Sequence, residues 1–278
     1  MTATYRLIAS DLDGTLLRSD GTVSARTVRA LRAAEAAGVV VVIATGRPAR
    51  WISPVAEALG HTGMAICANG AVVYDMHTDS IVATRPLSRT TVLDVADLVR
   101  AAIPGVAFAV ETARDGFAKE PAYRRHDDDL ALVPRVGALE ELVADDVVKL
   151  LVRHDSMGPD DLLAWAKELA GDLVELTHSS RSGLLEVSAA GVTKASTLSS
   201  LAGELGIGPA EVLAFGDMPN DLPMLAWAGS GYAVANAHPD VLASAAHTAA
   251  ANDEDGVAQI IEAVVGENRP AGGETARG

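Results

Sequence analysis

Residues 39–45 read VVVVIAT. A continuous β-branched run of this kind does not alternate apolar with polar residues, so the strand it predicts is buried on both faces. Such a strand needs helices above and below its sheet, which points to a parallel α/β architecture. The neighbouring segments agree. YRLIAS at 5–10 is a second strand signal, and a helix follows over Ser24 to Ala37, with Ser24 as N-cap, Val28 and Leu31 opening its apolar face, and Gly38 as the stop. A helix around Ala49 to Leu59 and a short strand, MAICAN, come next. This β-α-β-α-β order predicts a doubly wound, mainly parallel sheet whose ligands bind beyond the carboxyl ends of its strands.

From about Thr84 the texture changes. Helical stretches at Thr91 to Ala102 and Pro159 to Leu169 alternate with short runs such as GVAFAVET, VVKLLVRH, LVELTHSS and GLLEVSA. They predict a smaller α+β unit on a mainly antiparallel sheet, with residues Tyr123 to Gly137 as a surface excursion. After Gly191 the first pattern resumes: helix Lys194 to Leu205, strand VLAFGD, helix Asp221 to Ala228, strand YAVANA and helix GVAQIIEAVV. The expected organisation is a core of residues 1–83 and 189–266, an inserted α+β unit over 84–188, and a disordered tail over 267–278. A chain of 278 residues that is 49% hydrophobic is long enough for both units.

The chemistry gathers where strands end. DLDGTL at 11–16 places two carboxylates one residue apart directly after the first strand. Alternate residues of a strand share a face, so Asp11 and Asp13 are expected to point into one space, with Leu12 on the other side. Two carboxylates in one space repel, and a cation is needed to hold both ionised. The pair suits phosphoryl transfer, Asp11 as nucleophile and Asp13 as general acid and base. Gly14 and Thr15 make the turn out of the strand, where backbone N–H groups can hold phosphate oxygens; the same residue types also make an ordinary surface turn.

ATGR at 44–47 ends a second strand. Thr45 offers a hydroxyl, Gly46 allows close approach of an anion, and Arg47 either points at substrate or is a solvated charge. Lys194, in GVTKASTL, opposes the dipole of the helix it opens, which disfavours it locally by up to ~1 kcal/mol. A phosphate dianion meeting Asp11 would give that cation a purpose. GDMPNDLPML at 216–225 sets Asp217 and Asp221 about a tight turn. Oxygen ligands of this type suit Mg²⁺, with Asp217 beside Asp11 as ligand, Asp221 acting through water or by orienting Lys194, and Asn220 donating to substrate phosphate or capping the next helix.

DLDGTL, ATGR, Lys194 and GDMPND, in this order, resemble the four motifs of the haloacid dehalogenase superfamily. The insertion between ATGR and the lysine resembles the C2-type cap of its Cof-like sugar-phosphatase branch, and CANGA and ANDEDGVAQII are also similar to that branch. The resemblance implies a Rossmann-like core under the cap and a Mg²⁺-dependent phosphatase that forms an aspartyl-phosphate, with sugar phosphates the expected substrates. It implies that Asp11 is nucleophile and metal ligand, that Asp13 is acid and base and gives its backbone carbonyl to the metal, that Thr45 and Lys194 bind phosphate, and that Asp217 completes the metal site with Asn220 and Asp221 in support. Polar residues from Arg181 to Glu186 are candidates for touching the leaving group. Dehalogenation is disfavoured because halide leaves without the proton that Asp13 supplies. A phosphomutase using the same intermediate and a non-catalytic phosphometabolite-binding regulator are the rival readings.

Charge and composition exclude other classes. A formal net charge of −15 disfavours nucleic acid or an anionic membrane as partner, and a phosphorylated small molecule needs a local cation to bind. A lone cysteine, Cys67, excludes an internal disulfide and a cysteine-based zinc cluster. The polar start runs straight into a strand, and no apolar run approaches the roughly 18 residues that cross a bilayer. The expectation is therefore a soluble cytoplasmic protein, monomeric or weakly dimeric. DLDGTLLRSDGT does not serve as an EF-hand loop, because Leu16 stands where the loop glycine belongs.

Overall fold

In the computed structural model residues 5–60, 63–114, 116–124, 133–144, 146–179 and 183–267 are described, and they form two β-sheets. At the centre of the larger sheet lies β1 (Leu7–Ser10), with β12 (Val212–Gly216) on one side and β2 (Val40–Ala44) on the other, both parallel to it. β3 (Met64–Cys67) extends the sheet past β2, and β13 (Ser230–Val234) and β14 (His247–Ala249) extend it past β12, all parallel. An antiparallel hairpin, β4 (Val72–Asp75) and β5 (Ser80–Thr84), finishes the β3 edge. The sequence reading missed this hairpin and β14, which are short edge elements without a full apolar run. The order reverses direction between β1 and β12, the place where sheets of this kind open a crevice for ligands.

The helices form for local reasons that the sequence carries. α1 (Ala25–Ala36) is capped by Ser24, whose side chain accepts from the Thr27 N–H, and it buries Thr27, Ala30, Leu31 and Ala34 on one face. α6 (Lys194–Glu204) starts at a reciprocal cap between Thr193 and Ser196. Leu7, Ile8, Ile43 and Phe215 are fully buried between the helical layers, each contributing about 1.5–3 kcal/mol.

Between β5 and α6 the chain builds the second sheet, which is mainly antiparallel. Its strands are β6 (Ala107–Thr112), β7 (Phe117–Lys119), β8 (Arg135–Val136), β9 (Val147–Arg153), β10 (Val174–Thr177) and β11 (Leu184–Ala189), in the order β10-β11-β9-β6-β7-β8. α3 (Arg89–Ala102) and α5 (Pro159–Ala170) cover one face through Val92, Val95, Val99, Leu162 and Ala166. The opposite face carries Glu111, Lys149, Leu151, Leu184 and Glu186, and it looks toward the core sheet. Tyr123, expected on a surface excursion, is instead buried edge-on against Phe117 with ring centroids 5.9 Å apart. The remainder of that excursion at 125–132, Arg181, and the expected tail from 268 onward lie outside the described residues. No described helix is long and apolar enough to cross a membrane.

Gly70 couples the two halves of the core. It holds φ at +109°, and a Cβ there would collide with the Thr193 carbonyl, directly before the helix that begins with Lys194. Gly70→Ala is expected to destabilise the chain by about 1–3 kcal/mol in urea unfolding followed by circular dichroism. Gly203, inside α6 with open space around it, is the control: Gly203→Ala is expected to be neutral or to stabilise by about 0.5–1 kcal/mol.

Candidate active site

β1 ends at Ser10, and the Asp11 N–H still bonds the Phe215 carbonyl of β12 at 3.0 Å. Residues 12–16 then leave as a tight turn in which Leu12 and Leu16 enter the core and Gly14 adopts φ +78°. Asp11 and Asp13 do line one cleft, but the strand argument for this is corrected: the strand has already ended, and the turn brings them there. Asp11 is buried, whereas 55% of the Asp13 side chain is exposed. Gly14 is forced by proximity, since a Cβ would lie 2.5 Å from Asp217 Oδ2. Asp217 also accepts from Thr15 Oγ1 at 3.0 Å, so the turns after β1 and β12 are fastened together.

Lys194, only 1% exposed, sits where these turns meet. Its Nζ donates to Asp11 Oδ1 at 2.6 Å and to Asp221 Oδ1 at 2.7 Å. Asp221 Oδ2 accepts the N–H groups of Asp217 and Met218 at 3.1 and 3.0 Å, so that carboxylate is held by its own turn while it holds the lysine. Burial opposes a charge on Lys194, yet Asp11 and Asp221 outweigh it and hold the ammonium above its usual pKa. The carboxylates themselves are crowded. Burial and the nearby Asp221 push Asp217 up to about 7, and burial, with Asp221 and Asp217 adding to it, pushes Asp11 well above its ordinary value despite Lys194.

Oxygens of Asp11, Asp217 and Asp221 all lie within 4.8 Å of one another. A buried group of carboxylates served by one lysine, with two of them pushed toward protonation, fits a divalent cation bound by oxygen ligands. Asp11 and Asp217 are the two best placed to hold it, because Asp221 is already engaged through both oxygens.

The turn after β2 forms the opposite wall. Thr45 is buried, and its Oγ1 accepts the Arg47 N–H at 3.0 Å. Arg47 grips Asp13 through two bonds of 2.7 and 2.5 Å, so it is neither free toward the cleft nor simply solvated. Asn220 donates through Nδ2 to Asn69 Oδ1 at 3.0 Å. The structure thus gathers Asp11, Asp13, Gly46, Arg47 and Asn220 around a cleft of about 670 Å³, with Lys194, Asp217 and Asp221 packed behind Asp11 and Thr45 bracing the Arg47 turn.

Several residues that shape this cleft escaped the sequence reading, which had named Glu186 alone of them as a leaving-group candidate. Ala68 and Asn69 hold φ of +50° and +57°, a left-handed kink after β3 whose only signal was the Asn-Gly pair in CANGA. Asn69 Nδ2 donates to Glu186 Oε2 at 3.0 Å. Glu186 in turn pairs with Lys149 at 2.5 Å, and Lys149 also donates to the Gly46 carbonyl at 2.7 Å. Arg50 forks onto Glu111 at 2.6 and 3.0 Å. The Lys149–Glu186 pair lies within the second sheet, and the bonds to Asn69, Gly46 and Arg50 run from that sheet to turns of the first. A single Lys or Glu inside VVKLLV or LLEV was the available sign, a charge at a buried strand position.

The sequence profile of the haloacid dehalogenase-like hydrolases matches residues 8–261. The 5-amino-6-(5-phospho-D-ribitylamino)uracil phosphatase YcsE of Bacillus subtilis is 32% identical over 271 residues, spanning 92% of this chain and 94% of its own. The pyridoxal phosphate phosphatase YbhA of Escherichia coli is 29% identical over 268 residues, spanning 93% and 98%. Among solved structures, the haloalkanoate-superfamily phosphatase BT1666 of Bacteroides thetaiotaomicron superposes with a TM-score of 0.78 at 26% identity, over 94% of this chain and 95% of that one.

The Lys149–Glu186 pair yields a pH test. Burial pushes the Glu186 carboxyl up, but Lys149 outweighs burial and holds it below its ordinary value. A depressed carboxyl contributes stability that is present above its unfolded pKa and lost as pH falls through the lower folded one. Acid titration of unfolding free energy should therefore show stability falling below about pH 4.3, with a shallower fall in Glu186→Gln. Lys149→Met leaves a buried charge unpaired and is expected to cost about 3–5 kcal/mol, most of it recovered in Lys149→Met/Glu186→Leu.

Proposed function

Because the chain belongs to the haloacid dehalogenase-like hydrolase family and is a phosphatase, we propose that it cleaves small phosphate monoesters with Mg²⁺ through a phosphorylated Asp11. The observation that carries this reading is Lys194 Nζ bridging Asp11 and Asp221 at the buried end of the cleft. A carboxylate fixed through one oxygen by a buried ammonium, at the closed end of a cavity, is oriented for attack on phosphorus.

Asp11 attacks the phosphorus, and the ester P–O bond breaks as the acyl-phosphate bond forms. Asp13 donates a proton to the departing oxygen, then takes one from the water that attacks the acyl-phosphate, so that Asp11 and inorganic phosphate are released. Asp13 stands at the solvent side, held by Arg47, where both the leaving group and water arrive. Lys194 stays charged throughout and offsets the charge that gathers on the phosphoryl oxygens. Gly46 lets backbone approach the phosphate, Thr45 holds the turn carrying Gly46 and Arg47, and Asn220 would donate to substrate, as Arg47 would if its guanidinium turned from Asp13. Asp11, Asp217 and the Asp13 backbone carbonyl would hold the Mg²⁺, which when bound would supply charge stabilisation at the phosphate.

The leaving group meets the second sheet. Leu151 and Leu184 from that sheet and Trp51, Pro54 and Val55 from the core give the cleft an apolar side, while Arg50–Glu111 and Lys149–Glu186 give it a charged one. This supports a small metabolite with both polar and apolar parts, sugar phosphates and phosphorylated heterocycles being the first to try. Closure of the cap over them would exclude bulk water.

A phosphate-release screen over phosphorylated metabolites tests the reading. Activity is expected with Mg²⁺ and not with a chelator, and Asp11→Asn should retain its circular dichroism spectrum while losing at least about a thousandfold in kcat. Turnover unchanged in that variant removes Asp11 as nucleophile. Mg²⁺ should also raise the unfolding temperature of the wild type and not that of Asp217→Asn.

A further inference from the structure

A row of hydrogen bonds runs from the second sheet to the phosphate end of the cleft. Glu186, buried on β11, accepts from Lys149 Nζ at 2.5 Å and from Asn69 Nδ2 at 3.0 Å, with the Ser179 hydroxyl as a third donor. Asn69 Oδ1 accepts in turn from Asn220 Nδ2 at 3.0 Å. The row thus joins three segments far apart in the chain: a strand of the second sheet, the kink after β3 and the turn that carries Asp221. It also passes beside the turn after β2, since a Cβ on Gly46 would lie 3.1 Å from Asn69 Oδ1.

The direction of the row is decided at the Glu186 end. An ionised carboxylate only accepts, and Lys149 outweighs burial to keep Glu186 ionised. Asn69 must therefore turn its NH2 to Glu186, which leaves its carbonyl for Asn220. Asn220 must then meet that carbonyl with its own NH2. One of the two hydrogens on Asn220 Nδ2 is used there, and the second remains for a phosphate oxygen. We propose that Glu186 is a positioning residue for the reaction: acting through Asn69, it sets Asn220 as a donor toward the phosphate. The phosphate end is then complete only with the cap docked on it. This inference rests on the phosphatase reading above and assigns Glu186 to the phosphate end rather than to the leaving group.

The relay can be reversed and restored by exchanging single atoms. In Glu186→Gln the new carbonyl must stay with Lys149, because an NH2 there would face a cation. The new NH2 then faces Asn69, so the amides of Asn69 and Asn220 both turn over and Asn220 meets Asn69 with its carbonyl. Asn69→Asp in the same chain undoes this, since a carboxylate at position 69 accepts from the substituted side chain and from Asn220 alike. Asp also tolerates the φ of +57° held there. Alone, Asn69→Asp sets a second carboxylate against Glu186.

Inorganic phosphate is the probe, titrated by calorimetry into the full chain with saturating Mg²⁺, alongside kcat for an ester that the wild type hydrolyses. Glu186→Gln and Asn69→Asp, folded by circular dichroism, should each weaken phosphate about tenfold or more and lower kcat by a similar factor. Glu186→Gln/Asn69→Asp should bind phosphate more tightly than either single variant and recover kcat with it. A purely structural role would shift the urea midpoint and leave the phosphate affinity of the folded chain alone. Asn69→Ala cuts the row without touching the Lys149–Glu186 pair, and it should show the same loss even where Glu186→Gln does not fold. The proposal is overturned if the single variants bind phosphate as the wild type does, or if the double variant is no better than they are. Phosphate binding needs no turnover, so the two readings fail separately. A wild type that hydrolyses esters while the variants match it removes the positioning role alone, and the predicted pattern in a chain that hydrolyses none removes the phosphatase alone.

Discussion

A single buried ammonium organises this molecule. Lys194 Nζ reaches Asp11 and Asp221 from the first position of α6, and all three side chains are shut away from water. Breaking such a contact by removing one partner leaves an uncompensated charge in a low-dielectric interior, so the three loops that supply them cannot move independently. The arrangement opposes local preference, since a cation belongs at the other end of a helix. The reciprocal Thr193–Ser196 cap and the Gly70 approach compensate by fixing the first turn of α6 against the loop after β3.

The second sheet is tied down by the same kind of contact. Lys149 and Glu186 are buried strand residues whose ion pair is completed by the Gly46 carbonyl and Asn69 of the first sheet. A buried pair adds little net stability compared with apolar residues of the same size. Its value here is positional, since the bonds are fully made only when the two sheets stand in one register. The cap face and the Arg47 turn are therefore set together, and the shape offered to a leaving group depends on the same atoms that shape the phosphate end.

Much of this was legible because α/β sheets place function at strand ends. VVVVIAT announced a strand covered on both faces, and the carboxylates of DLDGTL and GDMPND had to emerge on its side of the sheet, which brings Asp11, Asp217 and Lys194 within reach of one another. What stayed hidden depends on geometry that a linear pattern does not carry. The shared cleft of Asp11 and Asp13 arises from the turn that begins at Leu12, not from alternation along a strand. Asn69 meets Glu186 and Asn220, which line the cleft, from a left-handed kink at Ala68 and Asn69. Lys149 and Glu186 lie 37 residues apart, and nothing local reveals that antiparallel pairing of β9 with β11, Glu186 opposite Leu151, sets them diagonally across one face.

Charge explains why a chain with a net −15 can still attract a phosphate. Every described cation beside the cleft is already spent on a carboxylate: Lys194 on Asp11 and Asp221, Arg47 on Asp13, Arg50 on Glu111 and Lys149 on Glu186. With Asp217 added, formal acidic groups outnumber cations by two, and the crowding shows in the upward push on Asp11 and Asp217. A bare dianion would enter against that excess. A divalent ion between Asp11 and Asp217 would cancel it, restore both carboxylates to their ionised forms, and leave the Arg47 guanidinium able to turn from Asp13 to the arriving phosphate. On this account metal and substrate would bind in order, because only the first would make the second electrostatically welcome.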